Sequence, residues 1–320
     1  MKYILLLAVF LLASRGRRAE TAVERISNQD YEVLAHDLET QFPGSIHYYE
    51  HTLFWDDAFS FQSFIHAVDA EDGHEMMVFG NRGDGPAEFT AACFSSGRDA
   101  FYVQDGNKGF GYRVQVQSDS LLIEESSIQP LPMATRILRD SEDCCILFCP
   151  SEEKPFLMDC NGNREGFGKL PPSEGEDAFS LYQGEVHLNP GKSILAYAPF
   201  RYPYLALYRY DAKGLSVVKE MTEDETDDSR PFSVHDMCLT RDYVVLVKRD
   251  VKTEGEVPAA RMPRDPATLP RSFYVYDYEL NLKRIITLPF PTVRICGDTE
   301  SNHVYGIGLD EDYFIYSTEL

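Results

Sequence analysis

Three short stretches gather polar and charged side chains at turns, and binding and catalytic groups are disproportionately carried by such loops on rigid scaffolds. In Met77–Phe89, MVFGNRGDGPAEF, an apolar run is stopped by Gly80, Gly83 and Gly85, and Arg82 and Glu88 flank the turn. Glycine permits positive φ and close backbone approach, and Pro86 fixes φ and removes a donor. The second stretch supplies Tyr182, Gln183 and Glu185, and the third, PFRYPY, supplies Arg201 and Tyr202. Gathered at one opening, these hydroxyls, amides, carboxylates and guanidinium groups would bind a small polar or glycan-like ligand. The same residues also admit a structural reading. Arg82 and Glu88 would then pair to hold their loop shut, while Tyr182 and Gln183 bond backbone carbonyls.

Motifs with a dedicated chemistry are absent. The chain has no GxSxG elbow, HExxH pair, Walker loop or dinucleotide fingerprint, so no catalytic residue, cofactor or metal is assigned. Asp159-Cys-Asn161-Gly-Asn163 matches the first half of a calcium loop, but Arg164 stands where glycine is wanted and Leu170 where a bidentate glutamate is wanted. Asn and Gly are equally what a hairpin turn needs. His47, Tyr49 and His51 alternate along one strand face, and imidazoles four residues apart on a strand are about 13 Å apart, too far to share an ion. They read as structural or surface histidines. The seven cysteines lack a CxxC pair and are odd in number. Their apolar settings fit core thiols, one disulfide within the Cys144-to-Cys160 cluster, or a metal site.

The elements that must position these residues are strands. Tyr and Phe number 19 and 20 against one Trp, and short β-branched and aromatic runs such as His47–Trp55, Lys192–Ala198, Tyr243–Lys248 and Tyr313–Tyr316 are broken by Gly, Asp, Asn and Pro. A unit recurs: an apolar strand ending in Asp, a turn with Gly or Asn, then a second strand. Its aspartates are Asp69, Asp105, Asp159, Asp211 and Asp277, about 35 to 65 residues apart, the period of a propeller blade with insertions. Five such outer hairpins and a sixth unit shared by the two chain ends predict an all-β, six-bladed β-propeller of four-stranded antiparallel blades. Each blade would be apolar on both faces and stable only between neighbours. Closure is expected to pair a strand within His47–Trp55 with Tyr313–Tyr316.

Residues 1–19 read as a signal-peptide-like leader, 20–45 as an extended or briefly helical lead-in, and 46–320 as the propeller. The leader's apolar core is shorter than a spanning helix needs. Arg15 stands where a lipobox would place its cysteine, which argues against lipid anchoring in the membrane. Export to the periplasm or cell surface is the expectation. Glu220–Asp228 and the proline-rich Glu254–Ser272 read as inserted surface loops. A net charge of −22 repels phosphate backbones and argues against nucleic-acid binding.

With these hairpins in place, Gly80–Phe89, the segment Leu181–Pro190 and the closing YVYDYELNLKRIITL resemble the TolB-like six-bladed β-propeller proteins. The likeness spans His47 to the C-terminus. It departs at Ala87, where that family usually has Gly, and at Arg15. The resemblance implies the fold and exported lipoproteins of unassigned activity, not a reaction. The expected role is therefore a binding or interaction module for a small polar ligand, a glycan or an envelope protein, with its site at one mouth of the channel. The alternative is a channel-site hydrolase or lyase acting on a glycan or small polar substrate.

Overall fold

The computed structural model describes residues 23–57, 59–60, 62–118, 120–127, 134–172, 177–211, 213–222, 234–258, 260 and 265–320. The expected leader with Arg15 lies outside the described residues, as do residues 223–228 of the acidic run and residues 259 and 261–264 of the proline-rich segment.

Six sheets radiate from one axis. From the axis outward, blade 1 is built from Pro43–Tyr49, Thr52–Asp57, Ser63–Asp69 and Glu75–Arg82, with Glu88–Phe89 added along its outer edge. Blade 2 comprises Ala92–Ser96, Phe101–Asp105, Phe110–Gln117 and Ser120–Ser127, and blade 3 comprises Arg136–Ser141, Cys144–Phe148, Phe156–Cys160 and Asn163–Phe167. Blade 4 runs through Gly184–Asn189, Ile194–Pro199, Tyr204–Asp211 and Gly214–Thr222. Blade 5 contains Asp236–Leu239, Tyr243–Val247, Ser272–Asp277 and Leu282–Thr287. Blade 6 contains Thr292–Gly297, His303–Leu309 and Tyr313–Glu319. The innermost strands of successive blades neighbour one another around the ring, with the sixth meeting the first.

The stacking follows from the residues. Every position of Ile194–Pro199 is buried, because both faces of that blade are covered. Leu195 and Tyr197 pack with Phe148 and Phe156 of blade 3, whereas Ile194 and Ala196 pack with Val244 and Leu246 of blade 5. A strand apolar on both faces would be half exposed in an isolated sheet, and burial of such surface is the main term favouring the ring.

Closure uses an earlier segment than His47–Trp55. Glu32–Ala35 pairs antiparallel with Tyr313–Glu319 as the outer strand of blade 6, and Thr318 Oγ1 donates to Asp30 O at 2.7 Å. Glu24–Ile26 runs parallel to Leu282–Thr287 at the edge of blade 5. His47–Trp55 instead forms the first hairpin of blade 1.

The recurrent aspartates cap hairpins. Asp69 Oδ1 accepts from Glu71 N at 2.7 Å, Asp211 Oδ1 from Lys213 N at 2.7 Å, and Asp277 Oδ1 from Asn281 N at 2.8 Å. Side chains that bond their own backbone in this way set turns. Asp105 differs from the outer-hairpin expectation: it closes the turn between the second and third strands of its blade. The calcium-like segment is a two-residue hairpin, with Asn161 and Gly162 at φ 53° and 76° between Cys160 and Asn163. Asp159 there accepts from Arg164 Nε at 2.7 Å.

Cys144 and Cys160 face each other on adjacent strands and form a disulfide. Cys145, Cys149, Cys238 and Cys296 are buried free thiols, and Cys93 is half-buried. The proline-rich segment is not wholly a free surface loop. The side chain of Glu254 is fully covered and accepts from Ser272 Oγ at 2.6 Å and Arg271 N at 2.9 Å. Of the acidic run, Glu220–Thr222 ends the outer strand of blade 4.

Candidate functional site

Side chains alternate along each inner strand, so every second residue faces the axis. On blade 4 Val186 is buried between blades, which turns Glu185 and His187 into the channel. On blade 1 Ile46 is buried, which does the same for Ser45 and His47. Blades 1 and 4 lie opposite each other in a ring of six. Accordingly the His47 and His187 rings meet across the axis, stacked with centroids 6.2 Å apart and planes 24° apart.

The two imidazoles divide the channel. On one side is the end where the inner strands finish, a cup of about 510 Å³. Tyr48, Tyr49 and Phe94 supply aromatic wall, Asp298 and Glu300 an acidic rim, and His47 and His187 the floor. On the other side, where the inner strands begin, lies a layer of charge. Arg136 Nη2 donates to Glu185 Oε1 at 2.8 Å, and Glu185 Oε2 faces His187 Nε2 at 3.5 Å. Asp236 Oδ2 accepts from Ile295 N at 2.8 Å and its Oδ1 from Met237 N at 2.9 Å. Arg294 Nε donates to Gly44 O.

Burial and neighbours push these groups apart. Burial, then the nearby Glu185 carboxylate, raise Asp236 above the usual carboxylate range. Burial acts on Glu185 as well, but the Arg136 guanidinium and His187 outweigh it and hold the carboxyl well below that range. Burial and the adjacent His187 ring lower His47 to about 3. Burial and Arg294 lower His235, which bonds Val293 O, to about 4. The channel thus holds an ionised carboxylate, a carboxyl that keeps its proton more readily, and two neutral imidazoles. It can accept and donate hydrogen bonds, ligate a cation, or move a proton.

The three loops singled out in the sequence all lie where the inner strands begin, the end opposite the cup. Of their residues Glu185 joins the charged layer. Arg82 pairs with Asp56 at 3.6 Å and lies over the Phe64 ring, and Asp56 in turn accepts from Ser45 N at 2.6 Å. Glu88 does not pair with Arg82. Its Oε2 accepts from Gly85 N at 2.7 Å within its own loop, and Lys108 Nζ donates to Gly83, Gly85 and Glu88 carbonyls from blade 2. Tyr182 is buried and donates to Pro171 O at 2.5 Å, with Tyr202 edge-on against it at 5.4 Å. Gln183 bonds through its backbone to Phe179 and Phe200. Arg201 is exposed.

Sequence reasoning did not single out His187, Asp236, Arg136, His235 or Arg294, and it set His47 aside as structural. For Glu185 and His187 a signal existed, since residues two apart on a strand share a face. Arg136, Asp236 and Arg294 come from three further blades, and nothing local in the chain marks them as neighbours.

No protein-family model matches the chain, and no curated protein matches it. Solved structures do. The β-propeller domain of Cps50 (Swd1) from Myceliophteria thermophila aligns with a TM-score of 0.54 at 9% identity, covering 91% of this chain and 100% of that one. A luciferin-regenerating enzyme aligns at 0.54 and 11% identity, covering 92% and 96%. A member of the DUF4221 family from Bacteroides vulgatus aligns at 0.51 and 14% identity, covering 91% and 98%. At these identities the likeness is one of fold, and the chain is a six-bladed β-propeller.

Proposed function

We propose that this protein is an exported binding module that takes a small polar ligand, of the size and character of a short neutral glycan, in the cup above His47 and His187. The cup carries the proposal: its roughly 510 Å³ falls within the range of small-molecule sites, about 300–1,000 Å³. The half-buried Tyr48 ring offers contact area there, and the rim carboxylates accept hydroxyl hydrogen bonds. The acidic rim disfavours anionic ligands. Export is supported by the leader-like N-terminus and by the Cys144–Cys160 disulfide, since disulfides persist in oxidising compartments. The TolB-like loop sequences are in keeping with an envelope setting.

Calorimetric titration with short neutral oligosaccharides tests the reading. Binding should occur to the wild type, weaken at least tenfold in His187→Ala and Glu300→Gln, and persist in Arg201→Ala at the opposite end. Binding unaffected by the two cup variants would refute the assignment.

One observation favours a second reading, a hydrolase or lyase. Glu185 and Asp236 are two nearby carboxyl groups displaced in opposite directions, the division of labour that general acid–base catalysis needs. Turnover of a bound glycan, abolished by Glu185→Gln with binding retained, would decide for it.

A further inference from the structure

Glu185, His187 and Asp236 converge beneath the floor of the cup. One carboxylate or imidazole atom from each lies within 4.8 Å of the other two. Glu185 Oε2 and His187 Nε2 are already 3.5 Å apart, and ligands bound at about 2.1 Å to one ion stand roughly 3–4 Å from each other. The remaining valences are arranged to aim these atoms. Arg136 occupies Glu185 Oε1, so Oε2 is the oxygen turned to His187. The backbone amides of Met237 and Ile295 hold the Asp236 carboxylate. Fixing ligands from behind in this way is what an outer shell does at a metal site. His187 Nε2 is shielded from solvent and, although Glu185 Oε2 faces it at 3.5 Å, makes no hydrogen bond of good geometry among the described residues. A shielded polar nitrogen without a well-formed hydrogen bond is costly to keep unless a ligand engages it.

We infer that Glu185, His187 and Asp236 form a binding site for a borderline divalent transition-metal cation such as Mn²⁺, Co²⁺ or Zn²⁺. One imidazole nitrogen and two carboxylates suit these ions, whereas Ca²⁺ and Mg²⁺ favour all-oxygen sets. Arg136 and Arg294 reduce the negative field at the site, which sets affinity below that of a site with uncompensated carboxylates. An ion there would lie under the cup floor. The inference deepens the reading of the channel as the binding site and rests on it.

The test uses the full chain after chelator treatment, titrated calorimetrically with Mn²⁺ and Co²⁺, with Ca²⁺ and Mg²⁺ for comparison. Binding of one Mn²⁺ or Co²⁺ per chain is expected, weakened at least tenfold in His187→Gln and in Asp236→Asn. A control removes the exposed Asp69–Asp72–His74 cluster on a blade 1 hairpin: the double variant Asp72→Asn, His74→Gln should bind as the wild type does. No binding, binding kept by the channel variants or lost by the hairpin variant, or a thiolate charge-transfer band in the Co²⁺ spectrum, overturns the inference. Where a channel variant does not fold, an anomalous peak in Mn²⁺-soaked wild-type crystals decides, at these three residues or elsewhere. Parallel titration of metal-free protein with neutral oligosaccharides separates the two proposals. Sugar binding without cation binding sinks the cation site alone, and cation binding without sugar binding sinks the glycan reading alone.

Discussion

The Arg136–Glu185 pair shows how the channel's polarity is held. Arg136 is about one-third exposed and Glu185 largely covered, so removing the arginine strands a shielded carboxylate. Arg136→Ala should therefore cost about 2 kcal/mol, less than a fully buried pair would. Arg136→Ala with Glu185→Ala should cost clearly less than the two singles summed, a coupling that urea denaturation of the cycle would read. The lowered histidines make a second prediction. The unfolded chain takes up protons near pH 6.5, whereas folded His235 does so at about 4 and His47 at about 3. Between these values the unfolded state binds more protons, so stability falls as pH drops below 6.5 and levels only below the folded values. From pH 6.5 to 5 each histidine contributes a loss of about 2 kcal/mol at most. Asp236, displaced upward, acts in the opposite sense, so the difference between wild type and His47→Gln or His235→Gln isolates each imidazole. Equal acid sensitivity in wild type and variants would show that these rings are not held neutral.

At the level of elements, the Gly80–Phe89 loop is a clamp between blades 1 and 2. Lys108 holds the loop carbonyls, and Asp105 anchors the chain just beyond it: its Oδ2 accepts from Thr90 N and Oγ1, each at 2.6 Å, and from Ala91 N at 3.1 Å. Its Oδ1 holds Asn107 N at 2.9 Å. Burial works against the charge, but these donors win and lower the Asp105 carboxyl. Asp105→Ala should destabilise the fold by about 2 kcal/mol, because the hydrogen bonds to one buried carboxylate are lost together while the donors on exposed Thr90, Ala91 and Asn107 can turn to water. Thermal melts would register this, and a change within error would contradict the anchoring role. Much of this level was legible. Turn chemistry is local, so Asp69, Asp211, Asp277 and the Asn161-Gly162 turn announce their hairpins within a few residues. Asp105 was assigned to the wrong hairpin of its blade because an Asp-Gly turn looks alike between any two antiparallel strands. The acceptor role of Glu88 toward its own loop was hidden for a related reason: a carboxylate between glycines reads equally as ligand contact or as loop closure.

Across the whole molecule, the ring is held shut by four residues of the lead-in. Glu32–Ala35 complete the sheet whose other strands come from the C-terminus, joining the two ends of the chain as any circular array requires. Replacing Val33, which packs on the blade 5–6 core, with Asp should lower the melting temperature by about 5 °C or more, and an unchanged melt would argue against this closure. The sequence period announced six blades but not the closing strand, since Glu32–Ala35 is short, half-exposed and lacks the aromatic density of His47–Trp55. The channel was less legible still. Its charged layer draws one or two residues from each of several blades, and only the closed ring makes neighbours of Arg136, Glu185, Asp236 and Arg294. That the cup above this layer receives a ligand is most directly tested by NMR of protein ¹³C-labelled at its eight histidines during titration with short neutral oligosaccharides. The expected result is saturable shifts of the His47 and His187 ring signals, with those of His51, which only borders the cup, smaller and those of His74 unmoved. Unshifted His47 and His187 rings, or shifts confined to exposed histidines, would contradict it.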